Sequence, residues 1–227
     1  MQHSISQDDI SSPAKLTGVL LICGVVAGPI YIIVGGIEMF TRPGFDPTRD
    51  DLSLMSNGDW GWIHISLLKL TGLLTIAGAV GMRRVLRGGR GGTWGPILLG
   101  IYGLGLIGAG FFTADPALGF PPGTPANAHA VSWHGLLHFI CGGIGFLGLI
   151  AACFVFARRF AARRQRGWAA YCVATGVIYL AAFAGIAVGS NSVGVIMTIV
   201  ILAFSVAVVL GWAWVSAMAA KLLSERA

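Results

Sequence analysis

Charge is the scarcest property of this sequence. Only 11% of its 227 residues are Asp, Glu, Lys or Arg, whereas a soluble globular domain carries about 25%. A folded surface so poor in charge cannot be solvated by water alone, which excludes an ordinary soluble domain and makes lipid the main solvent. Cysteines in loops are missing as well: Cys23, Cys141, Cys153 and Cys172 all fall inside apolar runs. A disulfide framework needs cysteines in loop-rich, oxidising regions, so these four read as small packing hydrophobes. The leading residues lack the basic stretch of a secretory leader and carry Asp8 and Asp9, so no cleaved signal peptide is expected. The formal charge of +6 offers no basic face to nucleic acid, because Lys and Arg sit in short loops between apolar runs. That distribution is a topology signal.

Apolar length and glycine are present in quantity. Hydrophobic residues make up 56% of the chain, and there are 34 glycines; small residues let membrane helices approach closely. A spanning helix needs about 20 apolar residues. Six runs qualify, at approximately residues 16–40, 61–82, 95–113, 131–157, 168–189 and 193–219. The predicted fold is therefore all-α: a single transmembrane domain over residues 1–227, built as a bundle of six transmembrane helices. The last two runs are separated only by Gly189-Ser190-Asn191-Ser192. This reads as a turn, since two spans need some 40 residues.

Twelve of the fifteen Lys and Arg fall on one side of such a bundle: Lys15, Arg83, Arg84, Arg87, Arg90, Arg158, Arg159, Arg163, Arg164, Arg166, Lys221 and Arg226. The other side carries only Arg42 and Arg49. The positive-inside rule predicts both termini in the cytoplasm. In the first outer loop, Asp46-Pro47 reads as a helix cap with proline following it, and Asn57-Gly58 as a stop. A short surface helix over about 47–56 is expected. The second outer loop, 115–127, contains Pro116, Pro121, Pro122 and Pro125 and reads as irregular but stiff.

Polar groups within membrane helices are costly, so each is a functional candidate. His64 lies nineteen residues before Arg83, His138 twenty before Arg158, and Asp115 about twenty after Gly95. At 1.5 Å per residue all three sit roughly 30 Å from the arginine side, which places titratable groups from three helices at one level. His134 and His138 are i, i+4 and share a helix face, a spacing that can hold a metal ion such as zinc. Asp115 is then the candidate to orient or deprotonate bound water, with His64 as a further catalytic candidate. The ordinary alternative is that these histidines bond loop carbonyls and Asp115 makes an Asx turn before Pro116. Haem held axially by His64 and His138 is a further reading. Lys69, about 7.5 Å deeper than His64, either snorkels or pairs with Glu38 or Asp115. Glu38 can instead pair with Arg42 at i+4. Asp46 and Asp50 are candidates to line the way in.

The segments Phe45-Asp46-Pro47, Gly61-Trp62-Ile63, Gly108 to Pro116 with its Ala114-Asp115-Pro116, and His134-Gly135-Leu136-Leu137-His138 resemble a family of bacterial and archaeal membrane proteins catalogued as "domain of unknown function 998". The resemblance runs from the first helix to the last. It implies a polytopic protein of the bacterial cytoplasmic membrane with no assigned activity. His64 and Leu67 depart from the amide-bearing residues associated with that part of the family pattern. A more distant similarity is to membrane hydrolases of the alkaline ceramidase type, which bind zinc through histidines with an acid nearby. Here only His134, His138 and Asp115 match, and the helix count and motif order differ. Two functional readings follow. One is metal-assisted hydrolysis of a lipid or amphipathic substrate. The other is non-enzymatic binding of a lipid or small hydrophobic or cationic molecule, as a sensor, accessory subunit or transporter. In both, the partners are membrane lipids and an amphipathic small molecule.

Overall fold

The computed structural model describes residues 13–86, 88–128, 130–189 and 194–226. Six helices account for most of them: α1 (Pro13–Thr41), α2 (Gly61–Val85), α3 (Gly89–Phe111), α4 (Trp133–Ala162), α5 (Arg166–Gly189) and α6 (Val195–Ser224). No strand occurs among the described residues. All six helices are long and apolar enough to cross a membrane, and the protein is a multi-pass membrane protein. At 1.5 Å per residue, even the 23 residues of α3 reach about 35 Å, more than a hydrocarbon core of about 30 Å.

The helices extend past the apolar runs because polar ends remain helical once the span has formed. α3 begins six residues before the predicted start, and its first turn carries Arg90. α2 and α4 continue into Arg83-Arg84 and Arg159, where cations meet the negative end of the helix dipole. α1 opens on Pro13, whose missing N–H costs nothing in a first turn. Of the turn read at Gly189-Ser190-Asn191-Ser192, the last three residues lie outside the described part.

Consecutive helices neighbour one another, and α6 returns against α1, so the six form a closed ring. Close approach is achieved with glycine. A Cβ on Gly78 would stand 2.7 Å from the Cα of Gly24, and one on Gly105 would stand 2.6 Å from the Cα of Gly145. The α1–α2 and α3–α4 pairs therefore touch backbone to backbone. Toward the arginine-rich end the interior is filled by Leu21, Met82, Leu99, Phe156, Trp214 and Met218, all fully buried.

The loop between α1 and α2 departs from the predicted surface helix. Only residues Leu52–Ser56 are helical, as a short 3-10 segment. Residues 46–50 form a single closed turn instead. The Asp46 carboxylate accepts from the Thr48 amide and hydroxyl, and the Asp46 amide donates to the Asp50 carboxylate. With both acids used to close the turn, the chain leaves it extended at Asp51 (φ −64°, ψ 141°). The segment is also not a surface element, since Leu54, Met55 and Ser56 are buried. The two loops at this end pack on each other, with Phe45 edge-to-face on Phe120 and Gly44 against Pro122.

Candidate functional site

Beneath these loops, on the side away from the arginines, the bundle encloses a cavity of about 130 Å³. Every helix contributes to its wall. Tyr31 comes from α1, His64 from α2, Tyr102 from α3, His138 and Phe146 from α4, Phe183 from α5, and Phe204 and Trp212 from α6. Asp51, Leu52 and Ser53 line it from the loop. Tyr31 stacks on Trp212 with ring centroids 4.8 Å apart, and Tyr102 lies 5.5 Å from the same indole. The three rings form a continuous aromatic floor.

The two histidines predicted at equal depth meet on this cavity, each held by Nδ1. His64 is 1% exposed, and its Nδ1 lies 3.0 Å from Glu38 Oε2. Glu38, 3% exposed, also faces the Arg42 guanidinium at 3.4 Å. Arg42 in turn donates to the carbonyls of Met55 and Asn57. A buried charge survives only when paired and hydrogen-bonded, and this chain of contacts pairs both. His138 Nδ1 lies 3.0 Å from the Ala109 carbonyl and 2.8 Å from that of Phe112. Carbonyls only accept, so Nδ1 carries the proton. Nε2 is then the ring atom left to meet a ligand.

The other predicted residues lie elsewhere. His134, one turn nearer the helix end, is exposed and packs on Trp133 and Phe112, so it does not share the cavity with His138. Asp115 reaches neither histidine. Its carboxylate accepts from the Ser132 amide at 2.7 Å and the Ser132 hydroxyl at 2.6 Å, and Ser132 caps α4 by accepting from the Gly135 amide. The acid thereby fixes the start of α4 and makes no Asx turn at Pro116. Lys69 pairs with neither Glu38 nor Asp115; its ammonium lies over the Phe111 ring, 4.1 Å from the centroid. Asp50 is buried and paired with Arg49 at 2.8 Å. The acid on the cavity is its neighbour, Asp51.

The aromatic lining and Asp51 were missed from sequence. Tyr31 stands seven residues, two helical turns, before Glu38 and so on the same face of α1, a pattern that was there to be read. Tyr102 and Trp212 carried no such mark. Asp51 lies outside the membrane spans, and burial pushes its carboxyl up to about 6, with the charge of Asp50 adding to the rise. No hydrogen bond or ion pair ties that carboxylate among the described residues. Nor do three or more His, Cys, Asp or Glu side chains among the described residues converge where a metal ion could sit.

A family model described as "Protein of unknown function (DUF998)" matches residues 25–221. The chain belongs to that family. No curated protein and no solved structure matches it.

Proposed function

Taking membership of a family with no assigned activity as the premise, we propose that this protein binds a small amphipathic molecule or part of a lipid in the central cavity, from within a bacterial cytoplasmic membrane and with both termini in the cytoplasm. The observation that carries the reading is the cavity itself. Ligand sites are concave, mostly apolar and lined by a few placed polar groups, and here all six helices supply the wall while His64, His138 and Asp51 supply the polar points. Phe139 lines the cavity and is also exposed on the bundle surface, so a ligand dissolved in the bilayer meets the wall directly. This geometry favours binding over metal-assisted hydrolysis. His134 stands outside the cavity, and the Asp115 carboxylate is occupied by Ser132.

The test fills the cavity without disturbing the fold. Gly142 lines it, and a Cβ there meets nothing within 4 Å, so Gly142→Phe places a ring in open space. Protein in lipid nanodiscs is irradiated with a diazirine-bearing fatty amine, and the crosslinked peptides are mapped. Labelling should concentrate on α4 and α6 around the cavity and fall about tenfold in Gly142→Phe. Equal labelling of the two proteins would defeat the binding reading.

A further inference from the structure

We infer that the ligand's polar end is an organic cation, an alkylated ammonium group seated on Tyr31, Tyr102 and Trp212 with Asp51 as its counter-charge. The inference rests on the binding reading above and names the chemical class of the ligand.

The argument begins from the charges at this end of the bundle. Glu38 is paired with Arg42 and bonded to His64. Asp50 is paired with Arg49, and Asp115 is bonded to Ser132. Among the described residues, Asp51 is the one acid that lines the cavity, and it has no ion-pair partner there. An uncompensated carboxylate in poorly solvated surroundings is costly unless a cation arrives. An anionic ligand finds no cationic side chain of Lys or Arg to bind, because none lines the cavity among the described residues. Arg42, Arg49 and Lys69 are already engaged by Glu38, Asp50 and the Phe111 ring. A neutral ligand would leave Asp51 unbalanced.

The aromatic wall points the same way. Ring faces attract cations, most strongly when the site is shielded from water, and aromatic cages recognise quaternary ammonium groups. Tyr31 and Trp212 are stacked, and Tyr102 flanks the same indole. Phe146, Phe183 and Phe204 complete the enclosure. The Nε2 atom of His138, whose Nδ1 proton is held by two carbonyls, adds a lone pair, which a primary or secondary ammonium can use and a quaternary one cannot. The groups facing Asp51 across this space are therefore His64, His138, Tyr31 and Tyr102, with Asp50 beside it and the Glu38–Arg42 and Arg49–Asp50 pairs behind.

Two probes of nearly the same shape decide the matter. Benzyltrimethylammonium carries a permanent charge, and neopentylbenzene replaces the nitrogen by carbon. Calorimetric titration of the full chain in phosphatidylglycerol nanodiscs should show the cation binding about tenfold tighter, within the range that shielded cation–π contact supplies. Asp51→Asn, which keeps the aromatic rings but loses the counter-charge, should shrink that difference while keeping the weaker binding of neopentylbenzene. In the wild type the preference should fade as pH falls through about 6, where Asp51 gains its proton. Equal affinities for the two probes would overturn the cation class, and an Asp51→Asn protein that prefers the cation as strongly as the wild type would overturn Asp51 as its counter-charge; either leaves the cavity reading intact. Failure of both probes to bind, in wild type and Gly142→Phe alike, would remove both readings together. Repeating the titration in phosphatidylcholine discs separates two sources of the same chemistry. Because anionic lipid itself gathers cations at the disc surface, the readout is the ratio of wild-type to Asp51→Asn affinity: a ratio that falls in phosphatidylcholine assigns the site to a lipid headgroup, and an unchanged ratio to a free cation.

Discussion

At the arginine-rich end, the helices meet through glycine and aromatic side chains. Gly24 lies against Gly78, Phe156 stands edge-on to Trp214, and the buried polar groups Thr17 and Thr75 satisfy themselves on carbonyls of their own helices. No charged residue is buried there among the described residues. At the opposite end α1, α2 and the loop between them bury Glu38, Arg42 and His64, and the six helices leave a cavity. Dense packing leaves no room for a ligand, so one half of each helix anchors the bundle and the other half holds the site. The anchored half tolerates little change in volume. The open half tolerates added volume but not the loss of a charge partner.

The sharpest way to break this contrast is to remove Glu38. Glu38→Ala strands the Arg42 guanidinium, which is 9% exposed, and frees the Nδ1 of His64. Breaking one member of a buried pair costs about 3–5 kcal/mol, and thermal unfolding in detergent should show a loss of that order. Glu38→Gln keeps an acceptor for His64 and should lose less. If Glu38→Ala melts with the wild type, Arg42 has found water and the pair is not buried in the sense argued here.

A smaller loss is expected in the anchored half. Gly78→Leu places a side chain where even a Cβ would stand 2.7 Å from the Gly24 backbone. Neither backbone can yield cheaply, so overpacking should cost about 1–3 kcal/mol, read from the same melting curves. Gly142→Phe, in the open half, should melt within about 0.5 kcal/mol of the wild type. Reversal of this order would mean that the cavity and the glycine seam have been assigned to the wrong halves.

The same division explains how far the sequence could be read. The six spans were legible because crossing a bilayer fixes length and composition together. The shared depth of His64 and His138 was legible too, because counting residues gives height directly. Height says nothing about which way a side chain points around its helix, and there the reading failed. Asp115 was counted to the same height as His138 and His134 to the same helix face, yet His134 is exposed and Asp115 holds Ser132, which caps α4. Lys69 found an aromatic face rather than an acid because Phe111 of the neighbouring helix stands beside it. Tyr102 and Trp212 could not be told from other aromatics in apolar runs, since only the packing of α3 and α6 turns them inward. Asp51 was passed over for Asp46 and Asp50 because the local turn that consumes those two acids depends on side-chain bonds that composition does not specify.

The smallest expected effect isolates Asp51 in the ligand-free protein. Its carboxyl is raised from 3.8 to about 6 by burial, then by Asp50. A raised carboxyl means that the folded state holds the proton more tightly than the unfolded state. The ionised form therefore carries a stability penalty. That penalty is absent below the ordinary carboxylate range, grows as pH rises from about 4 to about 6, and is complete above it. Asp51→Asn cannot ionise and escapes the penalty, while contributions from Arg49, Asp50, His64 and His138 largely cancel in the comparison of the two proteins. At pH 8 the variant should melt about 2–4 °C above the wild type, the shift that roughly 1 kcal/mol gives in a protein of this size. The gap should close near pH 4. Saturating benzyltrimethylammonium should reverse it at pH 8, because a ligand stabilises only the form that binds it. A gap that stays constant across the pH range would show that Asp51 faces water and has no part in the cavity, and the contrast between a packed half and a ligand-ready half would then lose its charge argument.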